Sequence, residues 1–222
     1  MVKADSVRSA FEAVRSGDAG RLAEILHADP SVASARDEQG LSLVLQAAYR
    51  DRPDLVRLLV EAGATLDVFE AATMGRTDRA SELVDRDPDL VNAWSVDGYT
   101  PLHLAAFFGQ DDVVKLLLER GADTAAVSKN QMAVMPLHSA IAGRHHSVAK
   151  LLLEAGAPLN ARSHGGFTPL LEAAENGDTA LVELLLSGGA DPSMARDDGK
   201  RPRDVALERG HEGVADLLEE RS

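Results

Sequence analysis

A proline returns along this chain at nearly fixed intervals. Pro101, Pro136, Pro169 and Pro202 stand 35, 33 and 33 residues apart and open the phrases "YTPLH", "VMPLH", "FTPLL" and "KRPRD". Between them recur "KLLLERGAD", "KLLLEAGAP" and "ELLLSGGAD", and "RLLVEAGAT" fits the same frame upstream. "EILHADPSV" and "ELVDRDPDL" fit more loosely, with Asp-Pro in place of Gly-Ala. A period of this length means that the folding unit is a small element stacked on copies of itself.

The phrases have a mechanical reading. In "TPLHLAAFFG", Thr100 is a helix N-cap and Pro101 suits the first helical position, where a missing N–H costs nothing. Leu102, Ala105 and Ala106 place a narrow apolar stripe on one face, and Gly109 supplies a left-handed stop. A second helix, "DDVVKLLLER", follows and ends at Gly121. The unit is a short helix, a tight turn, a longer helix and a polar hairpin-like loop. A lone helix pair cannot bury its apolar faces, but stacked pairs can.

This pattern resembles the ankyrin repeat family, on the words "TPLHLAA", "PLHSAIA", "TPLLEAA", "LLLERGAD", "LLLEAGA" and "LLLSGGAD". The preference for Arg over Lys suggests a GC-rich, bacterial source. The resemblance implies an all-α solenoid of about seven helix-turn-helix units with short β-hairpin loops. The units are expected at 6–36, 37–66, 67–94, 95–127, 128–162, 163–195 and 196–222, in a single domain spanning 1–222. The first and last act as caps, and Arg203 and Asp204 give the last unit a polar face.

Departures from the period carry more information than matches. From the helix-ending Gly156 to Ala173 is 17 residues, but from Gly63 to Ala71 is only 8. The third unit has lost a hairpin, and its first helix should start after Asp67 as N-cap. From Gly121 to Ala140 is 19 residues, so the loop over 124–135 is enlarged and should project further than 160–168.

The resemblance implies that partners bind the concave side, at hairpin tips and the exposed ends of first helices. Of the chain's few aromatics, Phe11 and Phe69 are expected on first-helix core faces. Tyr49, Phe107 and Phe108 end first helices, Tyr99 and Phe167 precede "TP", and Trp94 lies on a hairpin arm. The expected partner-binding surface is therefore Trp94, Tyr99, Phe107 and Phe108, flanked by Tyr49 and by Lys129 and Met132 of the long loop. Clustered exposed aromatics are characteristic of interfaces.

Other functions find less support. There is no Cys, so disulfides, thiolate catalysis and zinc–thiolate sites are excluded together. A net charge of −13 disfavours binding to phosphate backbones. No stretch reaches the length of a membrane span, and the start lacks the apolar run of a signal peptide, so a cytoplasmic location is expected. His103 and His138 belong to "PLH", for which the resemblance implies a structural role. They should lie on the order of 10 Å apart, too far for one metal ion. His145 and His146 are consecutive, and His211 repeats the setting of His145. No nucleophile elbow or phosphate loop occurs, and the carboxylates are expected on solvent faces. The expected function is a monomeric, non-enzymatic module without cofactor or metal that binds a protein partner, with no nucleic acid and no membrane. The alternative is a small molecule or short peptide bound in a notch beside the missing hairpin, near residues 63–71.

Overall fold

A computed structural model describes residues 2–220. Among the described residues fourteen α-helices pair in chain order: α1 (Val2–Ser16) with α2 (Ala19–Ala28), α3 (Leu43–Ala48) with α4 (Pro53–Glu61), α5 (Val68–Thr73) with α6 (Thr77–Arg86), and α7 (Pro101–Phe107) with α8 (Asp111–Glu119). They continue as α9 (Pro136–Ala142) with α10 (His146–Glu154), α11 (Pro169–Glu175) with α12 (Thr179–Ser187), and α13 (Pro202–Glu208) with α14 (Glu212–Glu220). Among the described residues there is no strand, and one isolated bridge, Arg36 to Ser42, marks a hairpin. The first helix begins at Val2, ahead of the expected start of the first unit at residue 6.

The repeated phrases do what their chemistry dictates. Thr100 accepts from the backbone N–H of His103 while the His103 side chain caps Thr100 in return. Gly109 takes φ 69°, and a methyl group there would lie 2.4 Å from His145 Nδ1. The turn thus needs a glycine twice over, for its backbone and for the imidazole packed on it. His211 lies against Gly177 in the same way. The two Asp-Pro variants are not frayed copies of Gly-Ala. Asp29 and Asp87 each end an α-helix and cap a 3-10 helix, Pro30–Ser34 and Pro88–Asn92.

Neighbouring units are tied by hydrogen bonds at the repeat distance. Asn92 Oδ1 accepts from Asp123 N–H at 2.9 Å, and Asn160 Oδ1 accepts from Asp191 N–H at 3.0 Å. Lys129 N–H donates to Gly98 O at 2.8 Å, joining one hairpin to the next. Gly98 permits that approach, since a methyl group there would lie 2.7 Å from the Lys129 carbonyl carbon.

The core is divided. One apolar cluster fills α1 to α4, and a larger one runs from Val68 through Leu218. The break falls where the hairpin is missing. Asp67 is the N-cap of α5, in a capping box with Glu70. Arg36, which opens the hairpin ahead of α3, reaches across to bind Asp67 at 2.8 Å and Glu70 at 2.9 Å. Behind this seam lies an open cavity of about 440 Å³, lined in part by Val56, Val60, Met74 and Phe108. Thr73 also lines it, with a buried hydroxyl that has no hydrogen-bond partner among the described residues. Val60 and Glu61 on one side of residues 63–71 and Thr73 and Met74 on the other line this cavity, so a hollow lies beside the stretch where the notch was expected.

Two stability predictions follow from the seam. With a smaller core, α1 to α4 should open sub-globally at lower free energy than α7 to α11, which native-state hydrogen exchange would resolve as two protection classes. Uniform protection along the chain would contradict it. The second concerns Glu70, whose pKa burial and then Asp67 push up to about 7, against the pull of Arg36. Its folded pKa lies above the unfolded value, so its contribution is favourable at low pH and is lost as pH rises through about 7. Arg36→Ala raises that pKa further. It should cost about 1 kcal/mol near pH 6, Arg36 being partly exposed, and clearly more above pH 8 in denaturant melts.

Candidate functional site

The concave face carries a second cavity, of about 300 Å³. First helices supply Tyr49, His103, Leu104 and Phe107, and beyond them His138, Ser139, Ala142 and Glu172. Hairpins supply Asp97, Tyr99, Met132 and Val134. Tyr49, Tyr99, Phe107 and Met132 of the expected surface thus meet around one opening. Phe108 is turned behind it, stacked on Tyr49 at 6.0 Å and edge-on to Phe107 at 5.1 Å, and faces the seam cavity instead. Trp94 tilts against His103 at 6.2 Å and Tyr99 does so at 5.8 Å. Lys129 places its ammonium 4.5 Å from the centre of the Trp94 ring. Phe167 stands apart, under Arg196 at 5.6 Å.

The missing hairpin brings this site together. Tyr49 ends α3 in the second unit, yet its hydroxyl donates to Asp97 Oδ2 in the fourth unit at 2.6 Å. That bond spans 48 residues, against 31 for the neighbour-to-neighbour bonds of Asn92 and Asn160. Val96, at the same hairpin tip, lies over Gly40 of the second unit, where a methyl group would be 3.1 Å away. With no third hairpin between them, the second and fourth hairpins close on each other. Desolvation around the hydroxyl and its bond to Asp97 push the Tyr49 pKa far above the usual range, so it remains a donor.

Exposure follows the same geography. Tyr49 is 36% exposed, Phe107 42% and Met132 56%. Beside them on the hairpins, Val96 is 61% exposed and Val127 44%. These two valines were not among the expected site residues. Both sit in loops where polar residues would cost nothing, and that was the available signal.

The histidines are engaged in structure. His103 Nδ1 accepts from Thr100 N–H at 3.2 Å, which leaves Nε2–H to donate to Val134 O at 3.0 Å in the next unit. His138 repeats this with Met135 N–H and Phe167 O, both at 3.3 Å. Burial lowers both imidazoles, His103 to about 4, so both stay neutral at physiological pH. Among the described residues no group of three His, Cys, Asp or Glu is placed to hold a metal ion.

The expectation that carboxylates lie on solvent faces fails at Glu70, which is buried, and in part at Glu172, which is half-buried. Glu70 fills the capping position that His103 holds in α7, so the helix start demanded a polar side chain there. Glu172 is different. It follows Leu171 in α11, where α7 has Leu104 and α9 has Ser139, and it faces the concave cavity. Burial, and then Glu175, push its pKa up to about 8. The sequence signal was present: a Glu set between apolar residues in "TPLLEAA".

A family model described as ankyrin repeats (3 copies) matches the chain in three overlapping stretches, residues 10–128, 68–163 and 137–221. The B-cell lymphoma 3 protein homolog of Mus musculus is 34% identical over 178 residues, covering 75% of this chain and 39% of that protein. Tyrosine-protein kinase HTK16 of Hydra vulgaris is 34% identical over 129 residues, covering 58% of this chain and 17% of the kinase. The putative ankyrin repeat protein YahD of Escherichia coli K12 is 45% identical over 65 residues, covering 27% of this chain and 32% of that protein. The chain therefore spans between 17% and 39% of the length of these relatives. No helix among the described residues is long and apolar enough to cross a membrane. Ankyrin repeats are protein–protein interaction modules and typically non-enzymatic. On its repeats, its stacked helix pairs and these matches, the chain belongs to the ankyrin repeat family.

Proposed function

We propose that this chain is a non-enzymatic binding module that takes a protein partner on its concave face, across Tyr49, Tyr99, Phe107 and Met132 and along the hairpin tips. The observation that carries this reading is the apolar exposure just described. Large apolar side chains stand open to water on adjacent hairpins and first-helix ends, around a cavity that the fold closes by a long-range bond from Tyr49. Stability alone does not call for them, since exposed apolar area costs solubility and contributes little packing. Trp94 and Lys129 flank the patch already paired with each other and extend it as a rim. Phe108 supports Tyr49 and Phe107 from behind and acts through them. The enclosed shape of the cavity also accommodates a short peptide, and a peptide segment of a larger protein satisfies both descriptions.

The test separates binding from folding. Tyr99→Ala with Phe107→Ala should weaken partner binding tens-fold or more, since hot-spot truncations cost about 2 kcal/mol or more and about 1.4 kcal/mol is tenfold. The pair should shift stability by about 1 kcal/mol. Leu117 is fully buried in the larger core, and Leu117→Ala should do the reverse, costing roughly 2–5 kcal/mol of folding. Affinity capture compared between wild type and the two variants, followed by titration of the captured partner and denaturant melts, reads both effects. An aromatic pair that destabilises the fold as much as Leu117→Ala does would place the residues in the core and end this reading.

A further inference from the structure

The concave cavity is walled mainly by rings and aliphatic groups, and four of its polar side chains are occupied. His103 and His138 are bonded through both nitrogens. The Tyr49 hydroxyl is committed to Asp97, which also receives Ser95 Oγ. The Tyr99 and Ser139 hydroxyls and the Glu172 carboxyl have no such partner among the described residues, and of these three Glu172 is the acid. Its carboxyl has no hydrogen bond or ion pair among the described residues, and no Lys or Arg pairs with Glu172 or with Asp97. Glu172 is half-buried, and its carboxyl is an acid without a partner in a largely apolar wall. Elsewhere the chain pairs such groups: Glu70 has Arg36, and Glu175 one turn along has Arg209. A carboxyl among aromatic faces is the arrangement that attracts a cation, because ring quadrupoles and the negative charge act together.

We propose that the cavity receives a basic side chain of the partner protein, lysine or arginine, with its charge held by Glu172 and its aliphatic stem laid along Tyr49, Tyr99 and Phe107. This rests on the reading of the concave face as a protein-binding surface and names what that surface selects. The overall charge of −13 supports it, since an acidic module draws basic segments towards it. Arginine and lysine both suit a pocket with an apolar body and one charged end, because their stems bury while the head finds a carboxylate.

Protonation supplies an independent signature. In the free protein Glu172 titrates near 8, raised by burial first and by Glu175 second. The titratable groups around it are Glu175 on its own helix, itself paired with Arg209 of α13, then His103 and His138, with Asp97 and Tyr49 at the far wall. Burial holds His103 at about 4 and lowers His138 as well, and the Tyr49 hydroxyl is raised, so the imidazoles are neutral and the phenol protonated between about pH 7 and pH 8. A bound cation favours the carboxylate and releases the proton of Glu172. Affinity for a cation should therefore rise with pH across that window, by up to about tenfold per unit, and affinity for a neutral analogue should not.

The experiment uses the full chain and three capped tripeptides, Gly-Lys-Gly, Gly-Arg-Gly and Gly-norleucine-Gly, titrated by NMR. A basic peptide should give saturable shifts at Tyr49, Tyr99 and Phe107 and bind about tenfold more tightly than norleucine. Glu172→Gln should bring it to the norleucine level and flatten its pH dependence. Gln copies the protonated side chain, so this variant should fold. Glu172 has a folded pKa above its unfolded value, so wild type loses stability as pH rises towards about 8, and the variant should melt higher than wild type above pH 8 and level with it near pH 5. Equal binding of norleucine, unaltered binding by Glu172→Gln, or no saturable shift with the basic peptides would each overturn the proposal. If norleucine binds equally and Tyr99→Ala with Phe107→Ala abolishes it, the groove stands as an apolar site and the cation alone falls. If that aromatic pair leaves the partner's binding intact, the groove reading falls as well.

Discussion

Each helix pair exposes an apolar face that its neighbour alone can cover, and this governs everything else in the molecule. The units are therefore held in register by polar bonds that reach from one copy to the next. His103 shows the economy of the arrangement. One ring nitrogen closes the helix start at Thr100 and the other holds the next hairpin at Val134. Burial keeps the ring neutral, which fixes one nitrogen as acceptor and the other as donor. A protonated ring would lose the bond at Thr100, so the desolvation that lowers its pKa also protects the junction.

The site on the concave face follows from a defect in that register. A solenoid with seven equal hairpins would keep the second and fourth apart by the width of a unit. Here the third hairpin is absent, the chain passes from Gly63 to the α5 cap at Asp67, and Tyr49 reaches Asp97 directly. The closure has a consequence on the other side. The core divides between α4 and α5, a cavity opens behind the seam, and Arg36 with Asp67 and Glu70 bridges what apolar packing does not. Loss of one loop thus deforms both faces in a chain that otherwise repeats. The same substitution of polar for apolar contact explains why the seam responds to pH through Glu70.

The stack and the gap were legible in the sequence because both are matters of period. Proline spacing fixes where first helices start, and a count of residues between Gly63 and Ala71 shows that a hairpin cannot fit. Asp67 as N-cap followed from the same count. What the period does not carry is which neighbour a side chain meets. Phe107 and Phe108 are adjacent in sequence, but one faces the concave cavity and the other the seam, since consecutive helix positions diverge by about 100°. The count of residues also leaves open how the neighbours respond to the lost loop: the second and fourth hairpins close together on the concave face, and the space opens behind the seam. Glu172 was passed over because acidic residues are common in this chain and a solvated face is their usual place.

Glu172 also shows how a repeat protein acquires specificity. At the same position in α7 the chain has Leu104, which packs with the core, and in α9 it has Ser139, which is nearly buried. An apolar residue at 172 would complete the wall and add stability, and the shift of its pKa to about 8 is a direct sign of what the carboxyl costs there. That cost is smallest when the group is protonated and is offset when a cation occupies the cavity. The Glu172 end of the groove thus sheds most of its charge when empty and regains it as a basic group enters. A module built this way discriminates twice, first by shape and aromatic contact and then by whether the incoming group can draw a proton from a half-buried acid. Neutral ligands of the same shape satisfy the first condition and leave the carboxyl unpaired, which is how a small cavity rejects a near-isostere.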